Sequence, residues 1–364
     1  QAGRGRRRPV PSCACMSPMG LRDAAVAVVR RLHGHGHIAY FAGGCVRDML
    51  LGREPKDYDV ATDAQPAEII RLFRRTRKVG AQFGVVLVRE GPFWIEVATF
   101  RTDLSYSDGR HPDAVRFSTP EEDARRRDFT INGMFFDPLE ERVIDFVGGR
   151  EDLEARRLRA IGEPRQRFTE DHLRVLRAVR FAAAYGCRIE PATWQAVREM
   201  APTIRDVSAE RIREELEKSF DGPHRAESLR LMDEAGILPY LWEGATWSAD
   251  HVQTARVVLS HLPADAGFES VLAVLLLDRP VKEVQRICRA LTCSNRTREH
   301  VAWLVEHKDA LAEPARLTPA DLKLLMQSPW FEDLLALFAA VCRARGRPLD
   351  AYEAVRVLDR KSVV

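Results

Sequence analysis

Two adjacent glycines, Gly43 and Gly44, close the apolar segment Ile38 to Ala42 and open the run Cys45-Val46-Arg47-Asp48. That order commits the chain to a strand, a tight turn and a helix start over Val46 to Leu51, because glycine lets the backbone turn sharply with no Cβ in the way. Backbone N–H groups at such a turn suit an anion such as a triphosphate, and Arg47 adds a charge-assisted donor. The next segment, Asp57-Tyr58-Asp59, is bounded by Pro55 and Thr62 and reads as a strand. Residues two apart on a strand face the same way, so Asp57 and Asp59 project together within reach of a shared divalent cation. Oxygen ligands suit Mg²⁺. A phosphate cradle beside a metal site predicts nucleotidyl transfer.

A chain of 364 residues is long for one core and predicts two or more domains. Its net charge of +3 is too small to announce a nucleic-acid binder, so any basic surface must come from local clusters. Arg125-Arg126-Arg127, Arg156-Arg157, Arg159 and the set Arg174, Arg177 and Arg180 supply them in the first half. The seven cysteines, at 13, 15, 45, 187, 288, 293 and 342, show no Cys-x-x-Cys pair or zinc spacing and read as free thiols. That usage points to a reducing, cytoplasmic setting, with no apolar run long enough for a membrane span. Residues 1–19 carry Arg4, Arg6, Arg7 and Arg8 without the apolar core of a signal peptide, and read as a disordered basic extension before a start at Met16 or Met19.

Apolar spacing predicts a helix over Leu21 to Leu32, then a break at His33-Gly34-His35-Gly36-His37 that needs no metal to explain it. Pro66 to Phe73 reads as a helix, and Val85 to Arg89 with Trp94 to Phe100 as a hairpin. Glu96 sits in the middle of the second, otherwise apolar strand, where an isolated charge is costly and calls for a cation. It is the candidate third carboxylate. Asp103 to Arg116 reads as a mobile loop, and beyond Asp145 the strand character disappears. From Glu151 onward, amphipathic stretches punctuated by Pro164, Gly186, Pro202, Pro239, Pro263 and Pro280 predict an almost wholly helical second half. Trp242, Trp247, Trp303 and Trp330 are expected in its core.

Several separated motifs resemble, in order, those of the class II tRNA nucleotidyltransferase (CCA-adding) and bacterial poly(A) polymerase family. They are Gly43 to Asp48 through Asp57-Tyr58-Asp59, then Arg126-Arg127-Asp128-Phe129-Thr130-Ile131-Asn132, a hinge-like Asp145 to Leu153, Glu170-Asp171-His172-Leu173-Arg174 through Phe181, and Ser208 to Leu216. The resemblance covers Ile38 to Leu216 and fades after Phe220. It implies an α+β nucleotidyltransferase head, a mixed sheet with flanking helices, followed by an all-α neck, body and tail. The expected bounds are 20–150 for the head, 151–220 for the neck and 221–364 for the body and tail, the last binding tRNA and ending in a truncated tail.

By that resemblance Gly44 and Arg47 hold the incoming triphosphate, with Gly43 in the same turn, and Asp57 and Asp59 bind the catalytic metals; joined by Glu96, read from its place in the apolar strand, they are the candidate catalytic ligands for two Mg²⁺ ions. Arg127, Asp128 and Asn132 engage ribose and phosphate. On a helix, Asp171 and Arg174 would be neighbours three residues apart, an acceptor beside a donor fork that matches the amino and ring-nitrogen edges of cytosine and adenine and rejects uracil and guanine. Arg177 and Arg180 continue on that side, meeting phosphate or bracing Asp171. Gly133 departs from the family's usual alanine.

The implied reaction adds CCA, or its terminal A, to a tRNA 3′ end from CTP and ATP and releases pyrophosphate. CC-only relatives carry a shortened loop after the third strand, whereas Thr102 to Ser118 is full length here, so terminal A addition is expected. Poly(A) polymerases carry a basic pair after a glycine where this chain reads Val79-Gly80-Ala81-Gln82-Phe83. CCA addition is therefore favoured, with A-only addition the closest rival and poly(A) synthesis next. A non-catalytic RNA-binding protein would not need the three carboxylates, and a His-Asp phosphohydrolase would need a doublet that does not occur.

Overall fold

The computed structural model describes residues 19–80, 84–103, 115–312, 318–350, 352–353 and 355–356. The basic stretch 1–18, the centre of the loop at 104–114, part of the poly(A)-diagnostic run at 81–83 and the final residues lie outside them. The chain divides into two units, one holding residues up to Thr102 with Val115–Ala124 and Met134–Asp145, the other holding Arg125–Gly133 and everything from Phe146 onward. The motif Arg126 to Asn132 thus belongs with the second unit.

The first unit is built on α1 (Leu21–His33), β1 (Ala39–Ala42), α2 (Gly44–Leu50), β2 (Val60–Thr62), α3 (Pro66–Leu72), β3 (Thr76–Gly80), β4 (Val85–Glu90) and β5 (Phe93–Thr99). After them come β6 (Arg101–Asp103), β7 (Val115–Phe117), α4 (Pro120–Arg125), β8 (Phe135–Asp137) and β9 (Arg142–Ile144). Seven strands form one mixed sheet in the order β3-β4-β5-β2-β1-β8-β9, parallel only between β2 and β5. Strand alternation buries one face: Val86, Val88, Ile95 and Val97 are inside, with Ala24, Ala25, Val28 and Leu32 of α1. The predicted hairpin is β4 and β5, with its turn at Gly91. The short strands β3, β8 and β9 were not singled out from the sequence, since each offers too few residues for alternation to show.

The second unit continues with α5 (Gly149–Glu154), β10 (Arg157–Leu158), α6 (Pro164–Glu170), α7 (Leu173–Tyr185), β11 (Arg188–Ile189), α8 (Pro191–Met200), α9 (Ala209–Ser219) and α10 (Arg225–Glu234). Six further helices follow: α11 (Ala249–His261), α12 (Phe268–Leu275), α13 (Val281–Ala290), α14 (Asn295–Glu306), α15 (Pro319–Met326) and α16 (Phe331–Ala344). The prolines act as read: Pro164 and Pro191 sit in the first turns of α6 and α8, and Gly186 ends α7 in the left-handed region at φ 60°. One correction is the parallel pair β10–β11, two residues each, within the helical half. Of the four tryptophans only Trp242 is fully buried; the others are half-buried and lean on one another or on histidines, as in Trp242–Trp247 at 5.4 Å and Trp303–Trp330 at 5.8 Å between ring centres. Among the described residues no single helix is long and apolar enough to cross a membrane.

Gly133 stands where no side chain fits without a shift. A Cβ there would stand 2.7 Å from Val147 Cγ2 and 3.0 Å from Ile161 Cδ1, so these two side chains already fill the methyl's place. Gly133→Ala is expected to cost about 1–3 kcal/mol by overpacking, read as a lower midpoint in urea, and Val147→Ala in the same chain should recover part of it.

Candidate active site

In the first unit the glycine turn follows β1. Gly43 has φ 72° and ψ −125°, a conformation only glycine holds without strain, and its N–H donates to Met134 O at 3.1 Å. That N–H is therefore engaged by the sheet, and the N–H groups of the turn that face no backbone partner begin after it. The first N–H groups of α2 after it have no partner within the helix. Arg47 is buried, and its Nε and Nη2 both grip the Asp48 carboxylate at 2.9 Å, with the guanidinium packed under Gly44. Cys45 is buried alongside. Its Sγ donates to Ala42 O at 3.3 Å, and burial, then the charge of Asp59, pushes its pKa up to about 12. Cys45 is therefore expected to resist iodoacetamide at about pH 8 in the native protein and to be labelled after denaturation, as peptide mass spectrometry would show.

Asp57 and Asp59 precede β2 rather than lying within it, because the ladder begins at Val60. The segment is nonetheless extended: Asp57 is exposed, Tyr58 buried and Asp59 half-buried, while Asp59 O accepts from Ala42 N at 2.9 Å. Val60 pairs with Val97, so the alternation carries Asp57, Asp59 and Glu96 to one face of the sheet. Glu96 opens to solvent on that face. Partial desolvation, then repulsion from Asp57, raises its carboxyl above the usual range. A hard cation would relieve that repulsion, and the donors are all carboxylate oxygens. Among the described residues, however, no three His, Cys, Asp or Glu side chains are gathered to metal-binding distance, so the trio is an open face rather than a closed coordination sphere. The histidines near α1 take separate partners, His33 at Ala39, His35 at Arg31 O and His37 at Asp63.

In the second unit Asp128 is buried and held from three sides. Phe129 N donates to its Oδ1 at 2.8 Å, Asn132 Nδ2 to the same atom at 3.2 Å, and Arg177 Nε and Nη2 fork onto Oδ2 at 2.8 and 2.5 Å. Burial alone would raise this carboxyl, yet the Arg177 guanidinium outweighs it and holds the pKa at about 2. Arg177 therefore braces Asp128, not Asp171. Arg127 Nη1 lies 3.4 Å from Asn132 O. Thr130 Oγ1 donates to the buried Asp152 at 2.7 Å, which also accepts from Arg157 and Arg159 and so fixes the turn carrying Asn132.

Asp171 is not on the helix with Arg174. It ends α6 with extended backbone, φ −151°, two residues before α7. There its Oδ1 accepts from Leu173 N at 3.1 Å and its Oδ2 from Arg211 Nη2 at 2.8 Å. Arg174 turns to Glu170 Oε2 at 2.6 Å and Arg167 O at 2.8 Å. The two candidate base readers stay neighbours through the backbone bond Arg174 N to Asp171 O, 3.0 Å, while their side chains answer to different partners. Arg180 pairs with the buried Glu215 and lies over the Phe181 ring at 4.0 Å. Arg211 and Glu215, one helical turn apart on α9, belong to the Ser208 to Leu216 motif, which by itself assigns them no role. Their opposite charges at i,i+4 on a face with apolar Ile212 and Leu216 were the available signal.

Residues 39–159 match the Poly A polymerase head domain, and residues 186–246 match the family described as the probable RNA and SrmB-binding site of polymerase A. The CCA-adding enzyme of Geobacillus thermodenitrificans (strain NG80-2) is 40% identical over 305 residues, 82% of this chain and 74% of that protein. The CCA-adding enzyme of Geobacillus kaustophilus (strain HTA426) is 37% identical over 334 residues, 90% and 80% of the respective chains. The crystal structure of the Bacillus stearothermophilus CCA-adding enzyme in complex with CTP superposes with a TM-score of 0.78 at 33% identity, covering 94% of this chain and 82% of that one. With the motifs in order, the fold shared and the identity sustained over most of both lengths, this chain belongs to the family of CCA-adding enzymes with a poly(A) polymerase head domain.

Proposed function

We propose that this protein is a template-independent RNA nucleotidyltransferase that adds CCA to the tRNA 3′ end from CTP and ATP, releasing pyrophosphate. The observation that carries the reading is the open sheet face with Asp57, Asp59 and Glu96 beside the glycine turn, in a chain similar to CCA-adding enzymes over four-fifths of its length. Residues 20–150 are read as the catalytic head, 151–220 as the neck and 221–364 as the tRNA-binding body and tail. The cytoplasm is the proposed compartment, consistent with five free, buried thiols among the described residues.

Enzymes of this family work with a divalent cation. Asp57, Asp59 and Glu96 would hold Mg²⁺, which when bound activates the RNA 3′-hydroxyl and neutralises charge on the triphosphate. The first turn of α2 after Gly43 offers N–H groups to the phosphates, and Arg47 contributes positive charge from below Gly44. Asp128, pinned by Arg177, orients the Asn132 amide toward the ribose. Asp171 accepts from the amino group shared by cytosine and adenine, and Arg174 donates to the ring nitrogen beside it.

The test is incubation with Mg²⁺, labelled CTP or ATP, and tRNA transcripts ending before the CCA, after one C and after CC, resolved at single-nucleotide length. Completion of all three to CCA is the expected result. Extension of the CC-ended transcript alone would make the protein an A-adding enzyme. No extension of any transcript would overturn the catalytic reading in favour of RNA binding.

A further inference from the structure

The solvent face of the sheet continues beyond the carboxylates. Leu87 is paired with both Glu96 and Arg77, and Arg89 with Trp94, so Arg77, Arg89, Trp94 and Glu96 share one face across β3, β4 and β5. The opposite face is the buried one, holding Val86, Val88, Ile95 and Val97. Trp94 lies two residues before Glu96 on β5, about 6–7 Å along the strand. The Arg77 guanidinium lies 4.3 Å from the centre of the Trp94 ring, and that of Arg89 lies 5.9 Å from it. Arg77 and Arg89 are exposed, as are Arg74, Arg75 and Lys78 on or beside edge strand β3. None of these five cations forms an ion pair with a carboxylate among the described residues. Five unneutralised positive charges on sixteen residues of a chain with net charge +3 form a local electropositive edge.

The geometry points to Arg77 and Arg89, held in place by Trp94, as a phosphate clamp for the RNA strand whose 3′-hydroxyl reaches the Asp57, Asp59 and Glu96 face. The inference rests on the RNA substrate proposed above. A guanidinium held over an indole by cation–π attraction loses part of its rotamer freedom before binding while its N–H donors remain available, so it meets a phosphate with less further loss of entropy. The carboxylates repel a polyanion, and a strand end entering that face needs positive charge immediately upstream to be retained. The clamp acts by positioning. It touches the RNA backbone and not the bases, and it leaves the incoming nucleotide to the glycine turn.

The experiment uses the full chain and a tRNA transcript ending in CC, with filter binding at about 50 and 200 mM salt and steady-state kinetics of A addition. Arg77→Ala and Arg89→Ala should each raise the Kd and KM for RNA about 5–10-fold, with kcat and the KM for ATP within about twofold of wild type. The logarithmic salt dependence of binding should flatten by about 0.7–0.9 per variant, one phosphate contact each. Trp94→Phe should behave like wild type and Trp94→Ala like Arg77→Ala. An unchanged RNA Kd in Arg77→Ala, with or without a change in melting temperature, would overturn the clamp while leaving the proposed function standing. A wild-type protein that binds the transcript tightly but extends nothing would remove the proposed function, and the clamp would still be judged by Kd. A wild-type protein that fails to bind RNA would remove both.

Discussion

Asp57→Ala protein is expected to lose nucleotide addition by at least about 10³-fold, equivalent to ~4 kcal/mol of transition-state stabilisation, while its melting temperature stays within about 2 °C of wild type. The two outcomes separate because Asp57 is exposed, so its truncation opens no buried space. Asp59→Ala should be as inactive. Asp59 meets the sheet through its backbone carbonyl, which alanine keeps. A second readout needs no turnover. Glu96 is raised by partial desolvation and then by the Asp57 charge, so Asp57→Asn should bring the Glu96 titration to lower pH in carboxyl-detected NMR. Full activity in either alanine variant would remove the carboxylate face from the chemistry.

The largest expected stability effect lies elsewhere, at Arg225. Its guanidinium is buried and spends its donors on four backbone carbonyls: Phe220 O at 2.7 Å, Pro263 O at 2.6 Å, Ala264 O at 2.9 Å and Ala266 O at 2.7 Å. Alanine would strand the buried Phe220 O, take a charged donor from three part-buried carbonyls, of which Pro263 O keeps its bond from Ala266 N, and leave a cavity; hydrogen bonds from a charged group are worth about 1.5–3 kcal/mol each. We expect Arg225→Ala to lose at least about 4 kcal/mol in denaturant unfolding, and Arg225→Lys to recover only a fraction, since an ammonium cannot span four carbonyls in two loops. The effect should reach the candidate site. Phe220 closes α9, and α9 carries Arg211 and Glu215, the partners of Asp171 and Arg180. Mild urea should therefore relax the selectivity of Arg225→Lys for CTP and ATP over UTP and GTP before its global transition.

The sequence made the glycine turn, the hairpin of β4 and β5, the faces of Asp57, Asp59 and Glu96, and the helical second half legible, because each rests on local periodicity or on a residue with one conformational use. It was silent on long-range pairing. The bonds of Asp128 to Arg177, Asp171 to Arg211 and Arg180 to Glu215 join charges 49, 40 and 35 residues apart, and nothing in the spacing distinguishes such a partner from any other arginine. The i,i+3 pattern places Asp171 on a helix, whereas its carboxylate accepts from Leu173 N at the entry to α7 and the helix is interrupted there. Aspartate competes with helix by just this bond. Arg77 and Trp94 escaped notice because β3 is a short, charged edge strand.

The bond from Gly43 N to Met134 O, with the pairing of Ala42 and Phe135 beside it, sets an order on how the glycine turn comes into being. The partner strand is made about ninety residues later, a closure whose entropy must be met before the contact rewards it. During synthesis the glycine turn and both aspartates leave the ribosome as an unfinished edge, and β1 keeps an open flank until β8 docks. A chain released before Met134 would contain Gly43, Gly44, Asp57, Asp59 and Glu96 and still lack the hydrogen bond that holds the turn to the sheet, so the geometry of the candidate site is acquired late, through topology rather than through possession of the motif.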